Sequence, residues 1–267
     1  MTSLATSTWG KGPLLVLCHG FTQTSRSWGL FGELLGASHR VLAVDLPGHG
    51  ASADLDTDVV GAAHALLDTV GAEPFDLLGY SMGARVAITA ALMQPQGLEA
   101  LILISANPGI ADDAERAARR AADDALADAL ERSGDVEAFL DSWLDQPLFA
   151  KLRPDDAQRA SRSANGAHGL ARSLRHMGTG TQQPAWGFLE LIEVPTLLLA
   201  GSRDEKYAAL AMSMSEELPV STLAVAPDVG HACHLEAPET CAQVVEHWLA
   251  AAHEMAKPSA KSTPTKS

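Results

Sequence analysis

The run Phe75-Asp76-Leu77-Leu78-Gly79-Tyr80-Ser81-Met82-Gly83-Ala84-Arg85-Val86-Ala87-Ile88 decides how this chain folds. Its first four residues suit a short buried strand, and Ala84 to Leu92 suit a helix. Between them stands Gly-x-Ser-x-Gly at residues 79–83. Strand, sharp turn and helix form the setting in which this pattern lifts a serine hydroxyl clear of the backbone. The turn is so tight that side chains at 79 and 83 would collide with neighbouring backbone, which accounts for the two glycines. The bland alternative is a small-residue turn carrying an ordinary surface serine. The flanking strand and helix favour Ser81 as a nucleophile instead.

Outward from this point, short apolar runs alternate with helix-like stretches. Strands are expected at Leu14 to Cys18, Arg40 to Asp45, Phe75 to Gly79, Ala100 to Ser105, Thr196 to Ala200 and Ser221 to Val225. Helices are expected near 27–36, 56–71, 82–94, 205–217 and 238–254. The strands are continuously apolar rather than alternating, so both their faces should be buried. The expected class is therefore α/β, a mostly parallel central sheet flanked by helices. Between about 109 and 190 the alternation stops and four helices are expected, at 114–132, 134–144, 154–166 and 167–177. The segment is too long for a simple connection and reads as an inserted helical cap. The expected organisation is a core of 1–108 and 191–255, a cap of 109–190 and a disordered tail of 256–267 rich in Lys, Pro, Ser and Thr.

The formal net charge of −14 argues against nucleic acid and anionic membranes as partners, yet a pocket can be locally basic. No stretch is long and apolar enough to span a bilayer, and no signal peptide is apparent. Three cysteines, Cys18, Cys233 and Cys241, show no zinc spacing and suit free thiols in a reducing cytoplasm. His231-Ala232-Cys233-His234 lacks the further ligands a metal would need, and there is no phosphate-cradling glycine loop, so neither metal nor cofactor is expected.

A serine needs a base, and the base needs an orienting acid. In the α/β-hydrolase fold, which this pattern resembles, the order along the chain is Ser, Asp or Glu, then His. Asp204 follows the strand 196–200, and His231 lies after the last strand and before the final helix. Ser81, Asp204 and His231 are the expected triad, with Glu205 and Asp228 as rival acids and His234 as a rival histidine. The oxyanion donors are expected at the N–H of Met82, just after the serine, and of Phe21, in the loop after the first apolar strand. His19 should brace that loop, and Asp45 to Gly50 should form a structural turn. Arg85 lies one helical turn after Ser81, on the side of the nucleophile, where a guanidinium could grip a carboxylate. Several arginines fall in the cap region, and spacing alone pairs Arg119 with Glu115 and Arg116 with Asp112.

The elbow Gly79-Tyr80-Ser81-Met82-Gly83-Ala84-Arg85 and the motif Val44-Asp45-Leu46-Pro47-Gly48-His49-Gly50 carry a closer resemblance. So do Trp143, Gln146 to Phe149, Arg162-Ser163 and Gly201 to Tyr207. Together they resemble the 2-succinyl-6-hydroxy-2,4-cyclohexadiene-1-carboxylate synthases of menaquinone biosynthesis. The resemblance covers nearly the whole chain except the C-terminal tail. It implies a lyase that eliminates pyruvate from an anionic tricarboxylate, with the activated serine as base and no acyl-enzyme. It also implies substrate-binding roles for Tyr80, Arg85, Arg119, Trp143 and Arg162. Leu144 and Asn107 stand where relatives can carry tyrosine and histidine. The residues themselves leave open a hydrolase of an anionic ester or carbon–carbon bond, a binding protein on the same scaffold, and either a monomer or a homodimer.

Overall fold

The computed structural model describes residues 3–256. Its centre is one seven-stranded sheet in the order β1-β3-β2-β4-β5-β6-β7. The strands are β1 Thr6–Gly10, β2 Leu14–Cys18, β3 Arg40–Val44, β4 Phe75–Tyr80, β5 Leu98–Ile104, β6 Thr196–Gly201 and β7 Ser221–Ala226. All neighbours run parallel except the antiparallel edge pair β1–β3. The class read from the sequence therefore stands. Every residue of β2, β4 and β6 is buried, as continuous apolar runs require of strands covered on both faces. β1 was not among the expected strands. It alternates exposed and half-buried positions and is built largely of Thr and Ser, so it lacks an apolar run.

Helices α1 Gly29–Leu35, α2 Val59–Val70, α3 Met82–Leu92, α8 Glu205–Glu217, α9 Cys233–Glu236 and α10 Pro238–Ala256 flank the sheet. Two apolar clusters fill the two faces. Leu77, Val86, Ile88 and Leu101 belong to one, and Phe31, Leu78, Ile102 and Leu249 to the other. Between β5 and β6 come α4 Asp113–Ser133, α5 Val136–Leu144, α6 Asp156–Ser163 and α7 Ala167–Met177. The stops and starts here are side-chain chemistry. Asp112, Asp135 and Asp155 each accept a bond from a backbone N–H of the first turn, and Gly134 ends α4 in the left-handed region. Gly134 therefore closes one helix rather than opening the next.

The inserted helices rest on the core at a contact that admits no side chain. A Cβ on Gly48 would lie 2.5 Å from the Gly169 carbonyl oxygen, and one on Gly169 would lie 2.5 Å from that of Gly48. Beside it, Asn165 accepts from Gly50 N–H at 2.9 Å and donates to the Thr22 carbonyl at 2.8 Å. Ala256 ends α10, while the rest of the expected disordered tail, 257–267, lies outside the described residues.

Candidate active site

β4 delivers Ser81 and α3 begins at Met82, so the serine sits on the turn itself. Its backbone is at φ 52, ψ −107, a conformation that non-glycine residues rarely adopt and that surrounding packing must enforce. The enforcement is visible. A Cβ on Gly83 would lie 2.0 Å from the Cys18 carbonyl oxygen, and one on Gly79 would lie 2.5 Å from the Gly83 carbonyl oxygen. Only glycine lets α3 descend onto β2 at this point.

Ser81 Oγ lies 3.0 Å from His231 Nε2, and His231 Nδ1 lies 2.6 Å from Asp204 Oδ2. A carboxylate only accepts, so Nδ1 carries the proton and Nε2 is left to accept the serine's. Both His231 and Asp204 are buried. Asp204 also caps α8 by accepting from Tyr207 N–H at 3.3 Å, which fixes its rotamer. Ser105, at the end of β5, donates to the His231 carbonyl at 2.8 Å and holds the histidine's loop. Of the rival groups, Asp228 is an exposed partner of Arg203, and Glu205 is exposed. His234 is fully buried among Trp28, Phe31 and Tyr80, with neither ring nitrogen bonded among the described residues, and burial lowers its pKa to about 3.

In the loop after β2, three backbone N–H groups find acceptors. Gly20 N–H donates to Gln23 Oε1, Gln23 N–H to the Gly20 carbonyl, and Thr22 N–H to His49 Nε2. Among the described residues only the Phe21 N–H of this turn is left without an acceptor, and the Met82 N–H at the head of α3 is free in the same way. His19 braces the loop as expected. Its Nδ1–H donates to Gly20 O, and Nε2 accepts from Leu46 N–H, with burial lowering its pKa to about 4. Asp45 closes the neighbouring turn by accepting from Ser25 and Ala51 N–H.

Above the serine lies a cavity of about 300 Å³. Its wall includes every expected site residue except Asp204, which stands behind His231. Arg85 is buried and donates from Nη1 to Gln182 Oε1 at 3.0 Å, with no carboxylate partner among the described residues. Arg162 is only 2 % exposed, donates from Nη1 to Thr22 Oγ1, and leaves Nε without an acceptor among the described residues. Burial lowers the pKa of each to about 10. Trp143 packs edge-on to Phe21 at 4.9 Å, and its buried indole N–H is also unpartnered. Tyr80 is buried against His231 and His234, and burial holds its phenol well above the ordinary range.

The remaining arginines sort themselves. The spacing-based pairs are corrected: Arg119 bonds forward to Asp123, and Arg116 to Asp113. Glu115 is exposed and Asp112 is occupied in capping α4. Arg159 pairs with Glu137 and Asp141, Arg153 bonds the carbonyls of Ala150 and Leu152, and Arg120 is exposed. Asn107 folds its own turn by accepting from Gly109 N–H at 2.8 Å, and Leu144 packs into the core. Sequence reasoning missed Asp123, Gln182, Thr22 and Tyr207, the last of which packs 4.4 Å from the His231 ring. One acid-and-histidine group, Asp76, Glu99 and His253, gathers where β4 begins, the end of that strand away from Ser81.

The parallel sheet, the glycine-flanked elbow and the hydrogen-bonded line of Ser81, His231 and Asp204 are those of an α/β-hydrolase scaffold, and the profile of the alpha/beta hydrolase family matches residues 15–244. The chain belongs to that family and, within it, to the 2-succinyl-6-hydroxy-2,4-cyclohexadiene-1-carboxylate synthases. It is 36% identical over 250 residues to a putative synthase of that name from Bacillus subtilis, covering 88% of this chain and 89% of the relative. A synthase of the same name from Salmonella schwarzengrund is 35% identical over 232 residues, covering 85% and 89%. The solved structure of MenH from S. aureus superposes with a TM-score of 0.85 at 32% identity, over 95% of this chain and all of that one.

Proposed function

We propose that this chain is a lyase that eliminates pyruvate from 2-succinyl-5-enolpyruvyl-6-hydroxy-3-cyclohexene-1-carboxylate, leaving 2-succinyl-6-hydroxy-2,4-cyclohexadiene-1-carboxylate, as a step of menaquinone biosynthesis. One observation carries the substrate class. Arg85 and Arg162 are buried guanidinium groups on the wall of the serine's cavity, and among the described residues neither is ion-paired or hydrogen-bonded to a carboxylate. Burying a cation without a directly paired carboxylate is costly, and an anionic substrate supplies that pair. A tricarboxylate matches them, with Arg119 at the wall and the free Trp143 N–H as further donors. The helices α4 to α7 act as the cap that closes this site over the core.

The geometry performs the elimination without covalent attack. His231 Nε2 accepts the Ser81 proton, and the serine oxygen takes the ring proton beside the succinyl ketone. The ketone oxygen gains negative charge, which the free N–H groups of Phe21 and Met82 hold. When the ring double bond forms, the carbon–oxygen bond breaks and the enolpyruvyl group departs as pyruvate enolate, which takes up a proton. Water is not a reactant, and the chain needs no metal or cofactor for these steps. Among the described residues no helix is long and apolar enough to cross a membrane, and the proposed setting is the cytoplasm. Neither nucleic acid nor membrane is a proposed partner.

The test is pyruvate release from enzymatically prepared substrate in ¹⁸O-labelled water, compared with its spontaneous decay. Accelerated release with the cyclohexadiene product and no label in that product supports the lyase. Label in a cleaved product, or no acceleration by folded protein, reassigns the chain to hydrolysis of another anionic substrate.

A further inference from the structure

Asp123 is a carboxylate in the wall of a site built to attract carboxylates, where its own charge would repel an anionic ligand. It lies on α4, is 2 % exposed, and borders the same cavity as Arg85 and Arg162. Burial pushes its pKa up, against the pull of Arg119 and Arg85. Its packing is specific. A Cβ on Gly178 would lie 2.6 Å from Asp123 Oδ2, so the carboxylate is seated on bare backbone at the end of α7.

What Asp123 holds is one edge of Arg119. Nε of Arg119 donates to Oδ1 at 2.9 Å and to Oδ2 at 3.0 Å. The terminal nitrogens of Arg119 have no acceptor among the described residues. The two partners differ sharply in exposure, 40% for the Arg119 side chain and 3% for that of Asp123. Asp123 is the fixed member and Arg119 the long, otherwise free one. An unrestrained arginine must give up rotamer entropy to grip a ligand, whereas one held at Nε presents a planar fork already aimed.

We propose that Asp123 is a positioning residue. It fixes the Nε edge of Arg119 so that the two terminal nitrogens face an incoming carboxylate of the substrate. This rests on the anionic-substrate reading above and adds a residue to it. The arrangement makes an unusual claim about sign. If Asp123 acted only through its charge, removing it would strengthen binding of an anion. If it acts by holding Arg119, removing it weakens binding.

The experiment is steady-state kinetics of wild type, Asp123→Ala, Asp123→Asn, Arg119→Ala and the Asp123→Ala/Arg119→Ala double variant on the enolpyruvyl substrate. Thermal midpoints accompany each assay. The expected result is a KM raised roughly tenfold in Asp123→Ala with kcat nearly unchanged, the scale of one weakened charge-assisted hydrogen bond. The double variant should be no worse than Arg119→Ala, because the two act as one unit. Asp123→Asn keeps an oxygen for Nε and should recover most of the loss. A KM that is unchanged or lower in both Asp123→Ala and Asp123→Asn overturns the proposal, as does a double variant whose losses simply multiply. Failure of the wild type itself to release pyruvate would sink the functional reading instead, so the two failures are separate.

Discussion

Replacing Arg162 with methionine should make the protein more stable and less able to bind. The guanidinium is 2 % exposed, its Nε has no acceptor among the described residues, and burial lowers its pKa from 12.5 to about 10. At about 1.36 kcal/mol per unit of pKa, that depression corresponds to a burial cost of about 3 kcal/mol. The sign follows from protonation. Folded and unfolded chains both carry the charge at neutral pH, so the cost is present in full below the folded pKa and relaxes only above it. Methionine removes the charge and fills much of the same space, but loses the bond to Thr22 Oγ1, worth about 1 kcal/mol. The net gain is about 2 kcal/mol, or a midpoint about 4 °C higher in a chain of this size. The assay is thermal and urea denaturation of Arg162→Met beside wild type, with substrate KM measured on the same samples. KM should rise at least about tenfold. A midpoint several degrees lower would refute the reasoning, because it would make Arg162 a structural strut whose internal bonds outweigh its burial.

Three further outcomes follow from the geometry. Ser81→Ala and Ser81→Gly should both lose at least about three orders of magnitude in turnover, and the glycine variant alone should gain about 1 kcal/mol by relieving the φ 52, ψ −107 backbone. Turnover near wild type in either, or equal urea midpoints for the two, would contradict this. Gly83→Ala should cost about 3 kcal/mol or more, since its Cβ meets the Cys18 carbonyl oxygen at 2.0 Å; a soluble variant with an unchanged urea midpoint would count against the elbow packing. Acid should unfold the protein early. Burial lowers the pKa of His19 to about 4 and of His49 and His234 to about 3, below the ordinary 6.5. The unfolded chain therefore takes up protons that the folded one refuses, and stability held above 6.5 is lost as pH falls toward those values. Between pH 7 and 5 each imidazole should withdraw about 2 kcal/mol. Urea titrations across that range would detect the loss, and a flat profile would mean that the imidazoles are protonated in the fold.

The parts of this molecule that were legible in its sequence share a cause. β4 and the elbow were legible because a strand buried on both faces is mostly apolar, Asp76 apart, and the turn admits only glycine at 79 and 83. The order Ser81, Asp204, His231 follows from where a parallel sheet brings its strand ends. The arginine partners were not legible. A helix offers Arg119 carboxylates both before and after it, and spacing ranks Glu115 and Asp123 alike. The choice depends on the Gly178 backbone, far along the chain, which gives Asp123 its seat. Nor could Gln182 or Thr22 be placed, since each meets its arginine only through tertiary packing across a long sequence separation. β1 was lost for a different reason: an edge strand buries one face at most, and five residues are too few to show an alternation.

The backbone contact of Gly48 with Gly169 sets a rule for anyone wishing to exchange the roof of this pocket. The helices between β5 and β6 are one continuous stretch of chain, so they invite exchange as a block. Here the socket is shaped on both sides. The loop after β3 must bring a glycine, the transplanted helix must bring another, and an amide at position 165 must bridge the Thr22 carbonyl and the Gly50 N–H. A chimera that carries over the helices but keeps a side chain at either glycine would hold the roof off the core and open the arginine-lined cavity to solvent. Roof and socket are thus one unit of design, and swaps that preserve activity must cut outside both.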